Sequence, residues 1–176
     1  VRERASSGGA ASAMMEYFVN NGGYVAACVF KNGEFLFDIT NKKDELLYFA
    51  GSKYVKSNPV GIYDKVIEKI RKGEKVLFIG LPCQVAALKN YTIMMPANVN
   101  ENLYTVDLIC HGTPSPKILD VALFEKGIDI KHIKDIRFRN KAKFGVSIQK
   151  EDEQYKRITP DGVQDMYTYA FLTSLD

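Results

Sequence analysis

The sequence predicts a mixed α/β fold: a partly parallel central sheet flanked by helices, with antiparallel hairpin additions. Two short β-forming runs, at 76–79 and 103–109, each stop at a loop containing Gly, Pro and Cys, and a helical pattern follows each loop. Short apolar runs between such signals are typical of parallel strands that are buried on both faces. A third run, at 24–30, precedes Asn32-Gly33 and an alternating segment, which predicts a β-hairpin.

The composition fits a globular protein with a sizeable core. The chain has 176 residues and a formal net charge of +3, which is too small to indicate a nucleic-acid or membrane partner. No apolar run reaches the length of a membrane-spanning helix, and no signal-peptide pattern is visible. The three cysteines are widely spaced and form no CxxC pair, which favours a reducing cytoplasm over a disulfide framework. We therefore expect one cytoplasmic domain over residues 1–176.

A serine and glycine motif precedes the first predicted helix. Ser6 and Ser7 belong to a residue type that often caps helices. Gly8 and Gly9 lower helix propensity in a first turn, but glycines let a ligand approach the backbone closely. A helix N-terminus also favours an anion. The motif is therefore either an ordinary helix cap or a cradle for a phosphate group.

The middle of the chain holds a core candidate, a candidate ligand loop and an amphipathic helix. Cys28 lies among alanine and valine in the strand at 24–30, which favours a place in the core. Lys53 and Tyr54 follow a short helical pattern, and a phosphate contact, stacking on a ring and a solvated loop are all open for them. An apolar stripe with helical spacing then predicts a helix at 62–70.

Sulfur-bearing loops follow both predicted parallel strands. Cys83 falls in the first turn of a helix, where the positive helix end stabilises a thiolate, although a structural cysteine would also fit there. Asp107 lies inside the second strand, and a buried carboxylate needs a partner. Cys110 and His111 end that strand without defining a metal site by their spacing. Because the carboxyl ends of parallel strands meet at one sheet edge, we place the functional site there.

A basic segment at 131–143 alternates with apolar residues, which predicts a strand at the start of an antiparallel region that reaches residue 159. Its basic residues are Lys131, Lys134, Arg137, Arg139, Lys141 and Lys143. Such a segment is either a solvated face or a surface for a polyanion, a dinucleotide cofactor or an acidic partner. A last helix is predicted at 163–175. The Walker A, GxGxxG, HExxH and GxSxG motifs are absent, which argues against the enzyme classes that they mark.

These motifs occur in the order and rough spacing of the coenzyme F420 hydrogenase/dehydrogenase beta subunit, C-terminal domain family, which the sequence resembles over nearly its whole length. The matching motifs are Ser6-Ser7-Gly8-Gly9, Ser52-Lys53-Tyr54-Val55, Gly80-Leu81-Pro82-Cys83-Gln84, Asp107-Leu108-Ile109-Cys110-His111-Gly112 with Pro114-Ser115-Pro116, and Phe138-Arg139-Asn140-Lys141. The PCQ and DLICHG pieces are the most specific of them.

The resemblance implies an iron–sulfur flavoprotein oxidoreductase. In that family FAD passes electrons between an iron–sulfur cluster, here expected as [4Fe-4S], and a hydride-carrying small molecule such as the deazaflavin coenzyme F420. The implied partners are electron-transfer proteins or hydrogenase- and dehydrogenase-type subunits. The residues that it implies in cofactor binding are Ser6, Ser7, Gly8, Gly9, Ser52, Lys53, Tyr54, Pro82, Cys83, Gln84, Cys110, His111 and Arg139. Cys83 and His111 are also the candidates for a catalytic role.

The sequence departs from the family pattern in ways that bear on the cluster. Leu81 stands where threonine is common, and Asn140 stands where aspartate is commoner. The cysteine-rich iron–sulfur segments expected at both ends are missing, so we expect a fragment of a longer protein with an incomplete or absent cluster. Cys110 would ligate iron only together with residues from such segments.

Two other functions remain open from the sequence. The first is a cysteine-dependent enzyme in which Cys83 is the nucleophile and His111 is the base. The second is a non-catalytic domain that docks an acidic partner through the basic segment at 131–143. Neither alternative needs the SSGG, SKY and PCQ motifs to occur together.

Overall fold

The computed structural model describes residues 5–140, 143–151, 153–159 and 165–173. The helices are α1 (Ala10–Asn20), α2 (Leu46–Phe49), α3 (Ile62–Arg71), α4 (Pro82–Thr92), α5 (Ala97–Asn100), α6 (Pro116–Phe124) and α7 (Met166–Thr173). The strands are β1 (Tyr24–Lys31), β2 (Glu34–Thr40), β3 (Val76–Gly80), β4 (Leu103–Asp107), β5 (Asp135–Asn140), β6 (Lys143–Gln149) and β7 (Lys156–Arg157). No helix within these ranges is long and apolar enough to cross a membrane.

The larger sheet has four strands in the order β2-β1-β3-β4 and contains both kinds of pairing. β1 pairs antiparallel with β2 and parallel with β3, and β3 pairs parallel with β4. The turn between β1 and β2 holds Asn32 at φ 53° and Gly33 at φ 80°, as a type I′ turn requires. The predicted fold class, the hairpin and the parallel strands are therefore confirmed.

Helices pack on both faces of this sheet because its inner strands are apolar on both sides. Every residue of β3 is buried. The predicted stripe of α3 is buried against the face that carries Phe78, with contributions from Ile62, Val66, Ile67 and Ile70. On the opposite face, Met15 of α1 packs with Leu77 and Ile79. Each such side chain contributes about 1.5–3 kcal/mol by its burial.

The basic antiparallel region forms a second sheet rather than an addition to the central one. This sheet has the order β5-β6-β7. Its residues Ile136 and Phe138 share one hydrophobic core with Phe30 and Phe35 of the hairpin and Leu119 of α6. The alternation of basic and apolar residues that predicted a strand therefore marks one apolar face packed against the rest of the molecule. The predicted basic residue Lys141 lies outside the described residues.

Two residues lie in surroundings that differ wholly or in part from those predicted. Asp107 is the last residue of β4, and it is exposed because β4 forms an edge of the sheet. It needs no buried partner, so the prediction of a buried carboxylate is wrong. Cys28 is partly buried: it packs against the hydrophobic core, as predicted, and its side chain also lines a cavity.

Candidate functional site

A cavity of about 340 Å³ lies at the edge of the central sheet where β3 and β4 end. We call it the sheet-edge cavity. It is lined by the N-terminal half of α1, the middle of β1, the loop at 51–57 and the residues that follow β3 and β4. The SSGG, SKY and PCQ regions, which are far apart in sequence, therefore meet around one space. Ligand crevices in open α/β sheets commonly lie at the carboxyl ends of parallel strands, and this cavity lies at the ends of β3 and β4.

The serine and glycine motif contributes backbone and hydroxyl groups rather than an ordinary helix cap. Gly9 is the N-cap residue of α1, in a left-handed conformation with φ 86°, and none of the described side chains caps the helix. Ser6 instead accepts a hydrogen bond on Oγ from the Ser52 backbone N–H at 2.7 Å, which ties the motif to the SKY loop. Ser6, Ser7 and Gly9 line the cavity. Gly8 is exposed and stands apart from the cavity wall.

Lys53 is fixed in the wall of the cavity by the carboxyl end of α2. Its ammonium group donates to the carbonyl oxygens of Tyr48, Phe49 and Ala50, at 3.1, 3.0 and 3.0 Å. Burial lowers the pKa of Lys53 to about 8, while the nearby Cys28 and Asp135 act in the opposite direction. With its three N–H groups engaged, Lys53 acts on the cavity through its charge.

A second recess adjoins the cavity and carries an arginine donor without an acceptor. We call it the arginine recess; its wall includes Ser6, Ser52, Lys53, Arg137 and Arg139. Within the described part of the chain, the buried Nε of Arg139 has no hydrogen-bond partner. The pairing register of β5 and β6 shifts between Arg137 and Arg139, as at a β-bulge that redirects a side chain. A buried unpaired donor is costly, and the recess carries Lys53, Arg137 and Arg139 against the carboxylate of Asp135, so the excess of positive charge favours an anion.

The PCQ motif divides between the cavity and the outer surface. Pro82 and Cys83 lie exposed in the first turn of α4, away from the residues that line the cavity, whereas Leu81 and Gln84 line it. Gln84 Oε1 accepts from the Leu81 backbone N–H at 2.9 Å, and Gln84 Nε2 donates to Ser57 Oγ at 3.1 Å. Both polar ends of the Gln84 amide therefore form hydrogen bonds with other groups of the protein.

Tyr54 and His111 lie against α7 instead of the cavity. Tyr54 packs in an aromatic cluster, with ring centroids 4.6 Å from Phe171 and 5.2 Å from Phe144. The exposed His111 ring lies 5.1 Å from Phe171, and Cys110 is also exposed. The structure therefore brings Tyr54 and His111 to one aromatic group. The pairing of Cys83 with His111 in a cysteine-dependent enzyme, and docking through the basic segment, stay predictions.

Potential iron ligands are not gathered into a complete site by the residues described. Across those ranges, no group of three or more His, Cys, Asp or Glu residues could hold a metal ion. Cys28 lies in the cavity wall, while Cys83 and Cys110 are on the surface. A typical cluster requires four thiolates, so these residues do not by themselves fit a [4Fe-4S] cluster. A role for Cys110 as a ligand stays a prediction that needs residues from elsewhere.

Sequence reasoning missed two polar groups of the cavity, Cys28 and Ser57. Both line it, and Ser57 is the partner of Gln84. Cys28 sits in an apolar run that is typical of a core strand, and only its partly exposed position along β1 reveals an open space beside it. Ser57 follows the SKY motif and is of a residue type that can cap the next helix, but its contact with Gln84 of the distant helix α4 has no local signal.

Two family profiles match the chain. The profile for the C terminus of the coenzyme F420 hydrogenase/dehydrogenase beta subunit matches residues 73–168. The profile for the N-terminal part of the same beta subunit matches residues 1–61. The motifs alone had pointed to the C-terminal part of the family, so the N-terminal match extends the resemblance to the region with the SSGG and SKY motifs.

Individual relatives agree with these matches. The F420-dependent formate dehydrogenase subunit beta of Methanocaldococcus jannaschii is 30% identical over 121 residues, which are 66% of this chain and 31% of that protein. A chain of the F420-reducing [NiFe] hydrogenase complex from Methanosarcina barkeri superposes with a TM-score of 0.61 at 20% identity. That superposition covers 88% of this chain and 54% of the other. This chain thus spans about a third and about half of the lengths of these relatives.

Sequence identity and coverage determine whether a comparison shows a shared fold or membership of a family. At 20% identity, the hydrogenase chain shows a shared fold, including the mixed sheet and its flanking helices. The C-terminal profile covers more than half of the 176 residues, and the N-terminal profile covers most of the rest. The chain therefore belongs to the coenzyme F420 hydrogenase/dehydrogenase beta subunit family, a family of oxidoreductases.

Proposed function

We propose that the sheet-edge cavity binds FAD and that the protein is a flavin-dependent oxidoreductase acting on a hydride-carrying small molecule. The observation that carries this proposal is the convergence of the SSGG, SKY and PCQ regions on one cavity, beside an arginine donor without an acceptor. The names of the relatives point to coenzyme F420, a deazaflavin, as the class of that small molecule.

The N-terminus of α1 fits the phosphate groups of FAD. The helix has 11 residues and lacks a side-chain cap from the described residues, and its first residues Ala10, Ala11 and Ser12 line the cavity. Free N–H groups at a helix N-terminus attract anions, both by hydrogen bonding and through the helix dipole. The guanidinium of Arg139 and the ammonium of Lys53 supply positive charge beside the same motif. The pyrophosphate would be held between Gly9 and the arginine recess.

The rest of the cavity fits a flat ring that is apolar on one side and polar on the other. Apolar side chains form much of its wall, among them Met14, Met15 and Phe49. Polar groups of Ser57 and Gln84 lie towards the strand ends. Ligand pockets commonly combine an apolar lining with a few placed polar groups. An isoalloxazine ring has this division between its dimethylbenzene and pyrimidine edges.

The chemistry divides between the cofactor and the chain. When bound, FAD supplies the hydride and electron transfer that no side chain can perform. The residues of the cavity bind it, orient it and exclude water, and the fixed charge of Lys53 favours a ligand that carries negative charge. Iron–sulfur chemistry, and electron exchange with a hydrogenase- or dehydrogenase-type subunit, would require residues beyond those described.

An anaerobic titration of the protein with FAD, followed by flavin fluorescence, tests the proposal. We expect saturable binding that weakens at least about tenfold in the double variant Ser7→Ala with Gly9→Val, because a side chain at Gly9 would block the helix N-terminus. Lys72→Gln is the matched control, since Lys72 pairs with Glu68 on the exposed surface of the α3 region. Binding that is absent, or equal in the double variant and the wild type, would refute the assignment.

A further inference from the structure

We infer that the Ser57 hydroxyl is a hydrogen-bond donor to the ring of the bound ligand, and that Gln84 is the positioning residue that gives this hydroxyl its direction. This role rests on the flavin assignment proposed above and specifies one contact within it. The resemblance to the family placed Gln84 itself among the cofactor-binding residues. The contacts of its side chain point instead to the neighbouring serine.

The orientation of the Gln84 amide follows from its partners. The Leu81 backbone N–H can only donate, and it lies 2.9 Å from one end of the amide, so that end must be the oxygen. The other end is then the NH₂ group, which lies 3.1 Å from Ser57 Oγ. Gln84 is 8% exposed, and its backbone carbonyl also accepts from Tyr63 Oη at 3.1 Å. Turning the amide over would place its NH₂ group against the Leu81 N–H and leave two buried donors facing each other.

The direction of the Ser57 hydroxyl follows in turn. Because Ser57 Oγ accepts from Gln84, its own proton must be donated to another group. The nearby candidate within the described residues is the Cys28 sulfur, which also lines the cavity. Burial raises the pKa of the Cys28 thiol, and a neutral thiol is a weak acceptor. A carbonyl oxygen or an unprotonated ring nitrogen of a ligand would take the proton in preference.

The chemical class of the ligand atom is therefore an acceptor on a heteroaromatic ring. The pyrimidine edge of an isoalloxazine carries such carbonyl oxygens and ring nitrogens. Ser57 and Gln84 would then orient this edge towards the middle of β1 and the end of β3, and the apolar edge towards Met14 and Met15 of α1. A ring without an acceptor at this edge would lose the contact and leave the hydroxyl with the weaker Cys28 sulfur as its acceptor.

A series of FAD titrations on serine and glutamine variants tests this role. Ser57→Ala removes the donor and should raise the dissociation constant for FAD about tenfold, whereas Ser57→Thr keeps the hydroxyl and should stay within about threefold of wild type. Gln84→Glu still accepts from the Leu81 N–H but takes the Ser57 proton for its carboxylate. The dissociation constant of Gln84→Glu for FAD should rise as in Ser57→Ala. The variant that combines Ser57→Ala with Gln84→Glu should bind FAD no worse than either single variant.

The spectrum of the bound flavin separates a direct contact from a structural effect. Losing a hydrogen bond at the pyrimidine edge should shift the visible absorption bands of bound FAD equally in Ser57→Ala and Gln84→Glu, and Ser57→Thr should restore the wild-type bands. If wild type binds FAD while Ser57→Ala keeps its affinity and spectrum, the role of Ser57 is refuted and the flavin assignment stands. If wild type binds no FAD, the role of Ser57 and the flavin assignment are both refuted. Should Gln84→Glu fail to fold, the two Ser57 variants still decide.

Discussion

At the scale of single residues, the site depends on side chains whose polar atoms are already committed to the protein. Lys53 gives its three N–H groups to carbonyl oxygens of the α2 region, and Gln84 uses both ends of its amide. The family pattern marks both residues but does not distinguish a ligand contact from a positioning role. For Gln84 that distinction depends on a contact with Ser57, 27 residues away, which a sequence motif does not contain.

Lys53 gives a prediction about pH and stability. Burial lowers its pKa from 10.5 to about 8, with Cys28 and Asp135 opposing the shift. Between these two values the unfolded chain binds more protons than the folded protein, so this lysine makes the free energy of unfolding rise with pH across that window. We expect the rise to be smaller in Lys53→Met. Urea denaturation at pH 7, 8, 9 and 10 measures the free energy of unfolding of both proteins. An equal rise with pH in the wild type and in Lys53→Met would contradict the lowered pKa.

The sequence pattern was a good guide to where the strands lie and a poor one to burial. Cys28 and Asp107 both lie on predicted strands, and the structure places both of those strands. The error lay in assuming closed surroundings, since Asp107 ends an edge strand and Cys28 also faces a cavity. The position of a strand within its sheet depends on long-range pairing, so burial at a strand end cannot be obtained from local pattern alone.

At the scale of elements, the clearest feature is the N-terminus of α1, which no described side chain caps. A serine before a helix predicts a side-chain cap, but Ser6 bonds to Ser52 and Gly9 takes the N-cap position instead. Leaving the first N–H groups without a side-chain partner weakens a helix. It also keeps those groups available for an anion, so the local cost is consistent with a binding role.

Gly9 and Gly8 provide a matched pair for this element. Gly9→Ala should lower the free energy of unfolding by about 1 kcal/mol, because alanine disfavours the left-handed conformation that Gly9 adopts. A Cβ at Gly8 would have no atom within 4 Å, so Gly8→Ala should leave stability unchanged within about 0.5 kcal/mol. Thermal and urea unfolding of both variants measures the difference. Equal effects at the two positions would show that the conformation of Gly9 is not the cause.

The elements that the sequence predicts well are those with strong local signals. The Asn32-Gly33 turn, the apolar stripe of α3 and the buried run of β3 all form where the pattern places them. The basic region was predicted correctly as antiparallel, but its separation into a second sheet was not. Which sheet a strand joins is decided by partners elsewhere in the chain, and hydrophobic alternation is the same in both cases.

At the scale of the whole molecule, an aromatic cluster joins the two sheets. Phe138 of β5 lies 5.8 Å from Phe35 of the hairpin, 6.1 Å from Tyr54 and 5.6 Å from Tyr167 of α7, measured between ring centroids. The loop that carries Lys53 therefore packs on the second sheet directly after it leaves the cavity. Arg139 directly follows Phe138 on β5, so this packing places Arg139 beside Ser6 of the SSGG motif.

The cluster predicts that Phe138 couples both sheets in stability. Phe138→Ala should lower the free energy of unfolding by about 3–5 kcal/mol, since it leaves a cavity among buried rings. Phe124 is 81% exposed at the end of α6, so Phe124→Ala should change the free energy of unfolding by less than about 0.5 kcal/mol. Urea denaturation monitored by circular dichroism compares them. A similar loss in both variants would contradict the role of the cluster.

Family membership was predicted from the sequence because its motifs are specific in combination, and the profile matches confirm it. The activity of the whole protein is less accessible, because this chain covers 31% of one relative and 54% of another. The cavity, in contrast, has a wall of described residues from α1, β1, the loop at 51–57 and the ends of β3 and β4. Its ligand can therefore be tested with this chain alone.

Hydrogen–deuterium exchange with and without FAD is the most direct test, because it reports where the cofactor lies. We predict that FAD slows exchange together in the segments 5–12, 51–57 and 79–84, which line the sheet-edge cavity. The helix segment 62–71 lies behind the sheet and serves as an internal control whose exchange stays unchanged. Protection confined to another region, or no protection at a concentration of FAD that saturates fluorescence, would contradict a flavin site in this cavity.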